Sequence, residues 1–119
     1  MTDNSLNKTD ISVITGYHAH IYYDESSKPR AALLREAVQA RFAVEMGRWR
    51  DEPVGPHPSA SYQVAFAPGL FAQIIPWLSL NRDGLTIFIH AETGDSLADH
   101  RDHAIWMGRQ QDLKLSMFR

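Results

Sequence analysis

Six histidines and no cysteine occur among the 119 residues of this chain. Any metal it holds must therefore be bound by imidazole and carboxylate. Disulfides, thiolate sites and cysteine nucleophiles are excluded. Three of the histidines have a spacing that points to one site. His18 and His20 stand two apart in Tyr17-His18-Ala19-His20-Ile21-Tyr22-Tyr23, an aromatic run that reads as a strand. Alternation puts both imidazoles and Tyr22 on one face, and Ala19 and Ile21 on the other. His90 ends a second such run, Leu85-Thr86-Ile87-Phe88-Ile89-His90. Its Leu85, Ile87 and Ile89 face the core, so Phe88 and His90 face the histidine side. If the two strands are antiparallel neighbours, three imidazoles converge, and imidazole suits zinc, copper, iron and nickel. Glu92 offers an alternative. With His18 and His20 it would complete the two-histidine, one-carboxylate set of non-haem iron(II) oxygenases, whereas within Glu92-Thr93-Gly94-Asp95 it is a solvated turn residue.

The other histidines are less decided by spacing. His57 lies in Gly55-Pro56-His57-Pro58, where two prolines hold its backbone. Its place before the third strand puts it near His20, as a fourth ligand, a general acid/base or a surface-loop histidine. His100 and His103 are three apart in Asp99-His100-Arg101-Asp102-His103 and would share a helix face. Acidic neighbours could make them groups that orient the ligands from behind, or the segment could simply be a polar helix start. Trp106 reads as core or as a lid on the sheet. Gly-x-Ser-x-Gly, glycine-rich phosphate loops and dinucleotide fingerprints are absent.

The elements that must position these residues follow from periodicity. After the first strand, Ser26 or Ser27 can cap a helix with Pro29 in its first turn. Its apolar stripe is Ala31, Leu34, Val38 and Phe42, and Gly47 is its expected stop. Arg48-Trp49-Arg50 is a short edge strand, and Ser61-Tyr62-Gln63-Val64-Ala65-Phe66 a third strand with Tyr62, Val64 and Phe66 buried. Pro68-Gly69 opens a second helix with Leu70, Ile74 and Trp77 or Leu78 as its stripe, and Pro76 is expected to kink or break it. Residues 1–15 read as a loose arm and 16–119 as one domain. The order strand, helix, strand, strand, helix, strand is the split βαβ, or ferredoxin-like, pattern. The fold class is thus α+β, with a four-stranded antiparallel sheet carrying two helices on one face. The other face is left for the tail or a second subunit, so a homodimer is expected.

Composition narrows the partners. Hydrophobic residues are 44% and charged residues 22%, a globular balance. A net charge of -2 argues against nucleic acid, which needs an excess of Lys and Arg. No apolar run is long enough to cross a bilayer and the first residues do not read as a signal peptide, so no membrane partner and a cytoplasmic location are expected.

The residues together resemble the DOPA 4,5-dioxygenase family of fungi and bacteria. The resemblance rests on Tyr17 to Tyr23, Gly55-Pro56-His57-Pro58, Ser61-Tyr62-Gln63-Val64, and Phe88-Ile89-His90 followed by Thr93-Gly94-Asp95. It continues in Asp99-His100-Arg101-Asp102-His103-Ala104-Ile105-Trp106-Met107-Gly108, so it spans about residues 16 to 108. It implies a small, commonly dimeric ferredoxin-like enzyme that cleaves DOPA or another catechol at an extradiol position with iron(II) and dioxygen. On that reading His18, His20 and His90 hold the iron, and zinc or another divalent ion could occupy the same donors in purified protein. His57 is the acid/base, Tyr22 lines the pocket, and Arg101 could meet a substrate carboxylate. The rival readings are a non-enzymatic metal- or small-molecule-binding dimer and a cofactor-free monooxygenase of the dimeric ferredoxin-like type.

Overall fold

The computed structural model describes residues 8–118. Its elements run β1 (Gly16–Tyr23), α1 (Lys28–Arg41), β2 (Glu45–Met46), β3 (Ala60–Phe66), α2 (Phe71–Asn81), β4 (Ile87–Glu92), α3 (Ser96–Arg101) and β5 (Ile105–Met107). Short 3-10 turns occur at Ile11–Val13, Pro68–Leu70 and Leu115–Phe118. The strands form one antiparallel sheet in the order β2-β3-β1-β4-β5. The two longest early strands are thus central, and β1 lies between β3 and β4.

The first six elements keep the expected order, and the tail adds a third helix and a fifth strand. The sheet therefore has five strands where four were expected. Boundaries also move. The fourth strand is Ile87–Glu92 instead of Leu85–His90, because the Leu85 N–H closes the preceding turn on the Arg82 carbonyl. The first helix ends at Arg41 instead of reaching Gly47, because Phe42 turns extended (φ -131°, ψ 145°) while its N–H still closes on the Val38 carbonyl. Phe42 then packs edge-on against Trp77 with ring centroids 5.6 Å apart. Gly47 serves a close strand approach: a Cβ there would stand 3.2 Å from the Gln63 Cβ. The edge strand is Glu45–Met46, not Arg48–Arg50, and Arg50 keeps only a single bridge to Ser61. Helix α2 passes through Pro76 without a break.

One face of the sheet is apolar. Ala19, Ile21 and Tyr23 of β1, Tyr62, Val64 and Phe66 of β3, and Ile87 and Ile89 of β4 meet Ala31, Leu34 and Val38 of α1 and Ile74 and Leu78 of α2. Burial of these side chains stabilises by roughly 1.5–3 kcal/mol each for the large ones, which is what holds α1 and α2 to the sheet. The opposite face carries the histidines, and the tail crosses it: α3 lies against β4 and against the turn at Leu115–Phe118.

Residues 1–7 of the expected arm lie outside the described residues. Of the rest, Asp10 caps the turn at Ile11–Val13 by accepting from the Ser12 N–H (2.8 Å), and the Thr15 N–H bonds the Glu92 carbonyl (2.9 Å). No helix among the described residues is long and apolar enough to cross a membrane.

Candidate metal centre

Strand register assembles the site. β1 pairs with β4 so that His18 stands opposite His90 and His20 opposite Phe88. Directly opposed residues of an antiparallel pair project from the same face, so three imidazoles meet there. One ligand atom from each of His18, His20 and His90 lies within 4.8 Å of the others. The Nε2 atoms of His20 and His90 face each other at 3.1 Å. Two nitrogens each about 2.1 Å from one ion stand about 3.0–3.4 Å apart in octahedral or tetrahedral arrangements, so this pair already has the spacing of two adjacent ligands.

The donors also point the right way. The His90 Nδ1 lies 3.1 Å from the Ala91 carbonyl oxygen and donates to it in the tautomer that leaves the Nε2 lone pair free. Glu92 Oε1 lies 3.1 Å from His18 Nδ1 and 3.4 Å from His90 Nδ1. The carboxylate is thus the partner of His18 Nδ1, while the His90 ring is held by its bond to the Ala91 carbonyl.

Burial keeps these bases uncharged. His90 is 1% and His20 6% exposed. Burial pulls the His90 pKa down to about 4, only partly opposed by the bond to Ala91. His20 is held well below the usual histidine value by burial and then by the neighbouring histidines, His57 first. His18 is lowered by burial, against the pull of Glu92. Neutral imidazole is the form that ligates metal, so the cluster is set to bind without first shedding protons.

A second relay extends from His20. The His57 ring lies 4.1 Å from the His20 ring, and His57 Nδ1 lies 2.8 Å from the Tyr22 hydroxyl. Both residues are buried. In the loop that carries it, the His57 N–H bonds the Val54 carbonyl (3.1 Å), and Gly55 takes φ 59°, a conformation that favours glycine. Burial lowers the His57 pKa to about 4, with a smaller contribution from His100. Burial raises the Tyr22 pKa, so its hydroxyl keeps its proton.

The tail forms the other wall. His100 lies 4.1 Å from His90, ring to ring, with Phe118 stacked on its far side at 4.4 Å. Its Nδ1 lies 2.7 Å from the Ser96 carbonyl. Phe88 stacks on Trp106 at 4.6 Å, so Trp106 closes the row that starts at His20. Two expected residues stand apart. His103 is half exposed and reaches only Asp99 (3.5 Å). Arg101 forks onto its neighbour Asp102, with Nε and Nη2 donating at 2.8 and 2.9 Å.

Asp99 is a positioning residue that sequence reasoning missed. It is 1% exposed and accepts from the Thr93 N–H (2.9 Å) and hydroxyl (2.6 Å). Burial pushes its carboxyl up, but the Thr93 bonds and His103 outweigh that and leave it below the usual range. This clamp ties α3 to the end of β4 and so holds His100 over His90. The available signal was an acid flanking a polar His-rich helix start just after a turn.

Residues 17–117 match the model of the Dopa 4,5-dioxygenase family. DOPA 4,5-dioxygenase of Amanita muscaria is 35% identical over 114 residues, covering 88% of this chain and 50% of the relative. An uncharacterized 21.2 kDa protein of Botryotinia fuckeliana is 37% identical over 120 residues, covering 91% and 66%. The chain spans between half and two thirds of these curated relatives. A crystal structure of a proposed dioxygenase from Nostoc punctiforme superposes with a TM-score of 0.91 at 49% identity, covering 93% of this chain and 96% of that one.

Proposed function

This chain belongs to the Dopa 4,5-dioxygenase family, and from that premise we propose that it opens the ring of DOPA or a related catechol at an extradiol position. In this reading the frame is ferredoxin-like, and iron(II) is held by His18, His20 and His90. The observation that carries it is the convergence of three uncharged imidazoles from two paired strands. Iron(II) bound there would supply a redox-active Lewis acid with positions left for a catecholate and dioxygen.

The chain's own residues supply the rest. Glu92 holds the His18 ring and the Ala91 carbonyl holds the His90 ring, each through Nδ1, which keeps Nε2 of each as the donor. His57 is the acid/base. With Nδ1–H donating to the Tyr22 oxygen, its Nε2 lone pair is free to take a catechol proton and later return it. Tyr22 holds the ring in place through that contact. Phe88, Trp106 and the Phe118–His100 stack exclude water from one side. The tail leaves His18 partly exposed (27% of its side chain), and a second copy of the chain is the proposed cover, giving a homodimer.

The test is anaerobic loading with Fe(II), then a catechol panel in air, read by oxygen uptake and ring-opening absorbance. Uptake that needs both iron and catechol supports the reading. Iron binding with no catechol-dependent uptake would reduce the protein to a metal-binding dimer, and turnover by metal-free protein would point to the cofactor-free monooxygenase.

A further inference from the structure

Clefts lined by the clustered histidines differ in charge. His18 borders one of about 350 Å³ that has Glu45 in its wall. His100 borders another of about 370 Å³, where Arg101 stands with Asp112. The Arg101 guanidinium is already forked onto Asp102, so that cleft offers no free cation from Arg101. The third, of about 290 Å³, runs from His20 and His57 to Arg48 and Arg50, and no carboxylate lines it. Neither arginine is paired with a carboxylate among the described residues.

Backbone pairing explains why these cations face the site. Arg50 bridges Ser61, and Ser61 stands opposite Tyr22, so the three project from the histidine face as one row across the sheet. Arg48 lines the same cleft two residues earlier. A guanidinium presents a planar fork that matches a carboxylate, and without a competing acid its field favours an anion at the mouth.

We infer that the cleft between His57 and Arg50 is the entrance for the aromatic substrate, and that Arg48 and Arg50 form a subsite for an anionic substituent, a carboxylate above all. The catechol part of this inference rests on the dioxygenase reading; the anion part rests on the arginines. The volume lies at the low end for ligand pockets, about 300–1,000 Å³, so the cleft suits a single ring with a short side chain.

The experiment uses iron-loaded protein and three probes: 3-(3,4-dihydroxyphenyl)propionate, unsubstituted catechol and dopamine. In the wild type kcat/KM falls in that order. In the Arg48→Gln/Arg50→Gln double variant the propionate-to-catechol ratio falls about ten- to a hundredfold, mostly through KM. Lysine at both positions restores part of the ratio, because charge returns without the fork. A ratio equal in wild type and variant overturns the subsite. A binding arm stands apart from turnover, with propionate and dopamine titrated calorimetrically into metal-free protein. If no probe is consumed, the dioxygenase reading fails and this arm decides alone. Tighter binding of propionate that is lost in the double variant upholds the subsite, and equal binding of the two probes overturns it.

Discussion

The two faces of the sheet are built from the same strands by opposite rules. On the helix-covered face, Ala19, Ile21, Val64, Ile87 and Ile89 are fully buried and make no demand beyond shape. On the other face, His20, His57, His90 and Asp99 are buried too, yet each needs a partner for its polar atoms. Burying an unpartnered polar group costs about 1–3 kcal/mol, so the histidine face persists only as a network. The first face holds the fold together, and the second draws on that stability to keep the neutral imidazoles of His18, His20, His57 and His90 close.

The sharpest way to break the comparison is to delete chemistry on the histidine face alone. His57→Ala should lower catechol turnover about a hundred- to ten-thousandfold while iron content stays near that of the wild type. Tyr22→Phe should lower it less, and nitrogen NMR of His57 should show its tautomer preference weakened. Steady-state kinetics beside iron assay checks both, and unchanged turnover in His57→Ala would leave that histidine a loop residue.

The mirror experiment is on the apolar face. Ile21→Ala should cost about 2–5 kcal/mol of unfolding free energy, seen as a lower urea midpoint at an unchanged slope. Iron stoichiometry should remain that of the wild type wherever the variant is folded.

A smaller effect is expected behind the ligands. Glu92→Gln keeps the size of the side chain but weakens its hold on the His18 Nδ1. Iron affinity should fall about ten- to a hundredfold, by competition with a chelator. A complete loss of iron would instead make Glu92 a ligand.

Acid separates the faces most gently. The folded-state pKa of His90 and His57 is about 4, against an ordinary value of 6.5, and His18 and His20 are lowered as well. Between about 6.5 and about 4 the unfolded chain therefore binds more protons than the folded one. Metal-free protein should lose stability as pH falls through that window, and go on losing it below as His20 and the Asp99 carboxylate take up protons. Urea midpoints across the window check this, and a His57→Ala variant should show a shallower fall.

Much of this arrangement is legible in the sequence because it depends on alternation. His18, His20 and Tyr22 share a face by period two, and His90 joins them through a strand with the same clear pattern. The His57 loop is legible because prolines leave it few conformations. What is hidden depends on distant contacts. Ile105-Trp106-Met107 is too short to show a period, and it becomes β5 only because β4 offers an edge and Phe88 a stacking partner. The α1 stripe runs on to Phe42 in sequence, but Trp77 draws that ring into an extended segment. Arg101 looks free in the sequence, yet its immediate neighbour Asp102 takes its fork.

The central claim is that His18, His20 and His90 together hold one iron. Anaerobic Fe(II) titration of the wild type and the three single alanine variants tests it most directly, with folding checked by circular dichroism. The account predicts one iron per chain in the wild type and none retained through desalting in any of the variants. A folded His90→Ala protein that keeps a full iron per chain would contradict it.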